Sequence, residues 1–89
     1  MAHDHPSHTA VVRRLSRACG HLRKTIAMIE EGRPCLEVAQ QLQAVYNAIG
    51  GAKRVYVQDH IEGCLAADDA ASSELHRRYV ELREISRYL

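Results

Sequence analysis

Residues 35–65, CLEVAQQLQAVYNAIGGAKRVYVQDHIEGCL, decide the fold. Leu36, Val38, Leu42, Val45, Ile49, Ala52, Tyr56, His60 and Cys64 recur at three- and four-residue steps, the period of one helical stripe. The stripe keeps its phase across Gly50-Gly51, so the spacing predicts one helix over about 35–65. Each glycine costs a helix about 1 kcal/mol relative to Ala. Close approach of a neighbouring helix is the expected reason for the pair.

Upstream, Val11, Val12, Leu15, Cys19, Leu22, Ile26 and Ile29 form a second stripe that ends near Gly32. Gly32-Arg33-Pro34 punctuates the chain, because Gly suits a helix C-terminus and Pro the start of the next helix. Residues 1–8, MAHDHPSH, read as a flexible His-rich arm, with helix signals from Ser7 or Thr9. Downstream, Asp68-Asp69 and Ser72-Ser73 mark a connection. Leu75, Tyr79, Leu82, Ile85 or Ser86, and Leu89 then give a last helix of about 15 to 20 residues. No strand pattern appears. The expectation is a single all-α domain over 1–89 with a three-helix protomer.

Composition limits how such a chain is stabilised. It has 89 residues, four Tyr, and neither Trp nor Phe, so its core is thin and mostly aliphatic. Oligomerisation is expected to add buried surface. Cys19 lies on the first stripe and is assigned to packing. Three Cys is an odd count, and no apolar run follows the polar N-terminus, so the expected setting is cytoplasmic with reduced thiols. No segment reaches the length of a membrane span. Neither a catalytic triad nor a phosphate-loop motif is present, so no enzyme activity is expected.

His60 and Cys64, spaced i, i+4, share a helix face. Thiolate plus imidazole suits Cu(I), Zn(II), Ni(II) or Co(II) and not Mg or Ca. Cys35 opens the same helix, where the unpaired backbone N–H groups favour a thiolate. A separation of 25 residues puts Cys35 roughly 37 Å from His60 along a straight helix, so the two cannot meet within one chain. Two copies packed antiparallel would bring them together and create two symmetric shared sites. His3 is a candidate fourth ligand, with His5 and His8 competing for the role. A nitrogen-rich N-terminal contribution favours Ni(II) or Cu(II).

The formal net charge is +1, but its distribution is uneven. The first 24 residues hold five Arg and Lys against Asp4. Arg13, Arg14, Arg17 and Lys24 lie on the first helix, and Lys53 and Arg54 on the second. Multiplied in an oligomer, such a basic surface can hold a duplex through its phosphates. No helix-turn-helix or zinc-finger pattern accompanies it.

The order Arg14-x-x-Arg17-x-x-Gly20, Cys35, Gln40-Gln41-x-x-Ala44-Val45 and His60-x-x-x-Cys64 resembles the CsoR/RcnR/FrmR family of metal-sensitive or formaldehyde-sensitive bacterial transcriptional repressors, over essentially the whole chain. The resemblance implies an antiparallel helical dimer assembling to a homotetramer without a helix-turn-helix. It implies double-stranded operator DNA as partner, bound in the apo form and released by an effector. It also implies Cys35, His60 and Cys64 as ligands, with Cys35 from the opposite subunit, His3 where nickel- and cobalt-responsive members carry an N-terminal ligand, and DNA contacts at Arg14 and Arg17. His21 replaces a frequent Gln, Tyr46 a frequent Arg, and Pro34 the Tyr that often precedes the Cys of copper-sensing members. With His3 as fourth ligand, the expected effector is Ni(II) or Co(II). The alternatives are Cu(I) at the same Cys-His-Cys site, or formaldehyde reacting at Cys35.

Overall fold

The computed structural model describes the backbone of residues 6–65 and 72–89 and the side chains of residues 8–63 and 73–89. Three helices account for nearly all of it: α1 (Pro6–Glu30), α2 (Cys35–Leu65) and α3 (Ser72–Ile85), the last running into a 3-10 turn at Ser86–Tyr88. The central helix has the bounds that its periodicity predicts and passes through Gly50-Gly51 unbroken.

The turn between α1 and α2 follows from three residues. Gly32 adopts a φ of 74°, a conformation that strains any residue with a Cβ. Its N–H donates to the Ile29 carbonyl at 3.1 Å, while the Arg33 N–H reaches back to Met28 at 3.0 Å. This pair of bonds is the Schellman arrangement, which satisfies carbonyls that the helix end leaves unpaired. Pro34 cannot extend α1. Its carbonyl instead accepts the Val38 N–H at 3.2 Å, the first bond of α2. Arg33 closes over that start by pairing with Glu37 at 2.7 Å.

So tight a turn sends α2 back along α1. His21 Nε2 meets Gln41 Oε1 at 2.6 Å near the turn, and the His8 ring stacks on Tyr56 at 5.4 Å near the open end. Along the hairpin, Val11, Ala18 and Thr25 are buried at seven-residue steps on α1, and Val45 and Ala52 on α2. The side chain of Thr25 is fully enclosed, and its hydroxyl donates to the His21 carbonyl at 2.9 Å. Small residues at these steps let the two helices run close together. The last helix supports itself through Glu74, which pairs with Arg77 and Arg78, and meets α2 where Glu81 reaches His60.

Four expectations need correction. The predicted arm is shorter than eight residues, because α1 already begins at Pro6. Ser72-Ser73 lies inside α3 rather than in the connection. Cys19 is exposed, as are Val12, Leu15, Leu22, Ile26 and Ile29, and Val11 alone of the first stripe is buried. The stripe is real, but its centre points beside α2 and not at it. Finally, a Cβ at Gly50 or Gly51 would meet no atom of α1 within 4 Å, so the approach of α1 does not explain the glycines.

The protomer measures 59 × 23 × 17 Å, with a radius of gyration of 18.0 Å. A compact chain of this length would have a radius of about 12 Å. Much of its apolar surface therefore remains uncovered. Val12 is 61% exposed, Ile29 55% and Tyr56 48%.

Candidate metal centre and basic face

The hairpin is a ribbon with two unlike faces. On one side, His8, Val12, Leu15, Ile49, Lys53 and Tyr56 line an apolar groove of about 400 Å³. Val12, Leu15, Cys19, Leu22, Ile26 and Ile29 alternate three- and four-residue steps along α1, the spacing of a coiled-coil seam. Leu42, Ile49 and Tyr56 continue it on α2 at seven-residue steps and are exposed.

The candidate ligand positions share that apolar side. At 3.6 residues per turn, steps of 25 and 29 residues return to within about 20° of the starting direction. Cys35, His60 and Cys64 therefore occupy one face of α2, the face of Leu42 and Ile49, with Cys35 at one end and the other two at the opposite end. Cys35 is exposed. His60 is partly exposed, and its Nε2 lies 2.6 Å from Glu81 Oε1. A carboxylate can only accept, so the ring donates its Nε2 proton and the neutral tautomer keeps its lone pair on Nδ1. His3 and the side chain of Cys64 lie outside the described residues. Among the described residues, no three His, Cys, Asp or Glu side chains stand close enough to hold a metal. The donor chemistry fits a thiophilic transition metal, and Cys35 and His60 stand at opposite ends of α2.

The other face is basic and amide-rich. Arg14, Arg17 and His21 of α1 meet Asn47, Ala48 and Gly51 of α2 around a cleft of about 420 Å³. Lys24 borders a neighbouring hollow with Arg17, His21 and Gln41. Arg54 lies across the glycine pair, its guanidinium nitrogens 3.7 and 3.8 Å from where the Cβ atoms of Gly50 and Gly51 would stand. Arg33, Arg77, Arg78 and Arg87 pair with carboxylates. Among the described residues, Arg13, Arg14, Arg17, Lys24, Lys53 and Arg54 do not. The sequence candidates thus separate. Arg14 and Arg17 border the cleft, Arg54 lies over Gly50 and Gly51, Lys24 flanks the cleft, Arg13 is exposed on α1 outside it, and Lys53 lines the apolar groove.

Sequence reasoning missed Glu81, Gln41 and Asn47 as partners of these groups. Glu81 and His60 sit on different helices, and no spacing rule connects them. His21 and Gln41 carry the same limitation, since only the hairpin register pairs them.

A sequence signature described as metal-sensitive transcriptional repressor matches residues 7–89. The chain belongs to that family. Among curated members, a copper-sensing transcriptional repressor CsoR from Mycobacterium ulcerans is 40% identical over 58 residues, covering 65% of this chain and 50% of the relative. Its counterpart from Mycobacterium bovis is 33% identical over 57 residues, covering 64% and 48%. The chain spans about half the length of these curated relatives. Solved structures in the metal-sensitive repressor family extend the similarity to full length. The nickel-responsive transcriptional regulator InrS is 36% identical with a TM-score of 0.79, covering 100% of both chains. A variant of the formaldehyde-responsive regulator FrmR from Salmonella enterica serovar Typhimurium is 26% identical with a TM-score of 0.83, covering 99% of this chain and 100% of that one. These neighbours establish the three-helix, strand-free architecture as the family fold.

Proposed function

We propose that this protein is a metal-responsive transcriptional repressor that binds operator DNA in the apo form and is released by Ni(II) or Co(II) at sites shared between subunits. The observation that carries this reading is the placement of Cys35 and the His60/Cys64 pair on one face of α2, at opposite ends, beside an uncovered apolar seam. Two hairpins packed antiparallel along that seam cover it and bring the Cys35 of each copy to the His60 end of the other. The same packing forms the dimer of the proposed homotetramer. The basic faces then remain outward, available to a duplex.

His3 supplies the fourth donor. His8 already stands beside Tyr56, one helical turn from His60. His3 precedes the start of α1 at Pro6 by three residues. Two thiolates with two nitrogens suit square-planar Ni(II). A Cu(I) reading with Cys35, His60 and Cys64 alone is favoured by the copper-sensing relative that is 40% identical. His3→Ala separates the two: loss of Ni(II) affinity with Cu(I) binding intact supports His3 as a ligand, and an unchanged Ni(II) spectrum removes it.

Release works by linkage. Metal that ties two subunits favours one dimer shape, and a hundredfold loss of DNA affinity requires a preference of about 2.7 kcal/mol. The shared site is tested by mixing subunits. Neither Cys35→Ala nor His60→Ala should bind metal tightly alone. A mixture allowed to exchange subunits regains one intact site per heterodimer, seen as thiolate charge-transfer absorbance. No recovery on mixing overturns the shared site. Retention of metal-triggered DNA release by Cys35→Ala does so as well, and a covalent adduct on Cys35 would turn the reading to an aldehyde sensor.

A further inference from the structure

The first turn of α1, residues 6–9, has little of its own to hold it. It carries no acidic side chain to meet the positive end of the helix dipole, and helix ends fray. Thr9 and Ala10 are exposed. The half-buried His8 and the buried Val11 instead line one groove with Ile49, Ala52 and Tyr56 of α2. Within it the His8 ring stacks on Tyr56, with centroids 5.4 Å apart and planes 23° from parallel. Paired rings attract each other beyond the area they bury. Tyr56 stands four residues before His60, on the same face of α2. The stack therefore fastens the start of α1 one helical turn from a proposed metal ligand, and His3 lies five residues upstream of His8.

We propose that His8 and Tyr56 are positioning residues that set the choice of metal. Their stack holds the N-terminal segment where its nitrogen donor meets the His60 end of α2, and so strengthens binding of Ni(II) but not of Cu(I). The proposal rests on the reading of His3 as fourth donor and deepens it. The two metals differ in what they ask of the chain. Two thiolates and one imidazole from α2 satisfy Cu(I), whereas four-coordinate Ni(II) also needs the donor that precedes α1. A frayed first turn must be ordered before that donor binds, and the apparent affinity falls with the fraction of chains already ordered. Cu(I) binding does not depend on that ordering. Neither ring touches the metal in this role. A phenyl ring at either position would serve as well, because stacking needs a flat face and no donor atom.

The test uses the full chain, first metal-free and then titrated anaerobically with Ni(II) or Cu(I) against a competing chelator. Tyr56→Ala and His8→Ala should each weaken Ni(II) binding about 2- to 10-fold and leave Cu(I) affinity unchanged. In the metal-free protein both should speed amide hydrogen exchange at residues 10–12, whose N–H groups bond to carbonyls at residues 6–8. Tyr56→Phe and His8→Phe should keep the wild-type exchange rates and Ni(II) affinity. Wild-type Ni(II) affinity in either alanine variant overturns the proposal. So does an equal loss for Ni(II) and Cu(I), which marks damage to the fold or to the pairing of copies. A loss in His8→Phe as large as in His8→Ala overturns it too, by making His8 itself a ligand. His3→Ala tells the two readings apart. Unchanged Ni(II) binding in that variant removes the fourth donor and the positioning role together. Lost Ni(II) binding there, beside wild-type affinity in Tyr56→Ala, removes the positioning role alone.

Discussion

Glu81 Oε1 stands 2.6 Å from His60 Nε2, joining α3 to the end of α2 that carries the proposed ligands. The carboxylate orients the ring, as partners of metal-bound histidines commonly do. Glu81→Ala should lower metal affinity by about 10- to 100-fold, measured by competition with a chelator of known strength. Glu81→Gln, which still accepts a hydrogen bond, should lose less. Equal affinity in all three proteins would mean that the contact has no bearing on the metal.

Acid should also weaken the site. Thiolate and neutral imidazole bind metal, and their protonated forms do not. Each proton displaced on binding costs about tenfold in affinity per unit fall in pH, over the range where the ligands are protonated in the apo protein. Titration at several pH values reads this directly, and a pH-independent affinity would point to ligands other than Cys and His.

Along the seam, Leu22 and Ile26 are exposed in the protomer. Covering a large aliphatic side chain contributes about 1.5–3 kcal/mol. Ile26→Asp should therefore split the oligomer, read as a fall in mass by analytical ultracentrifugation and a lower thermal midpoint. A variant of unchanged mass and stability would place the subunit contact elsewhere.

Gly50 offers a test of opposite sign. A Cβ there meets only the tip of Arg54 at 3.7 Å, an ordinary contact with a flexible side chain. Gly50→Ala should stabilise the fold by about 1 kcal/mol, visible in chemical denaturation. Destabilisation would reveal a close neighbour supplied by another copy.

The elements were legible because periodicity is a local property. The bounds of α2 follow from its stripe, and Gly32-Arg33-Pro34 marks the turn that bonds at Ile29, Met28 and Val38 then close. What each stripe packs against was not legible. Val11 and Val12 are adjacent and equally apolar, yet one is buried and the other 61% exposed, because successive residues point about 100° apart around a helix and α2 packs on the Val11 side. Cys19 was misplaced for the same reason. The distance argument for Cys35 and His60 needed only helix rise, so it stood on the sequence alone. Pairings such as His60 with Glu81 depend on how α3 folds back, which no spacing encodes.

The long, thin shape of the protomer has a consequence for regulation. A chain with so little interior has little room to enclose an effector, and the proposed pairing of two copies along its uncovered seam would make association part of folding. Under mass action, such a protein reads two inputs at once: the amount of effector, and its own abundance. Below the concentration at which chains associate, neither input is read. A cell could then set the threshold of the response by how much of the protein it makes.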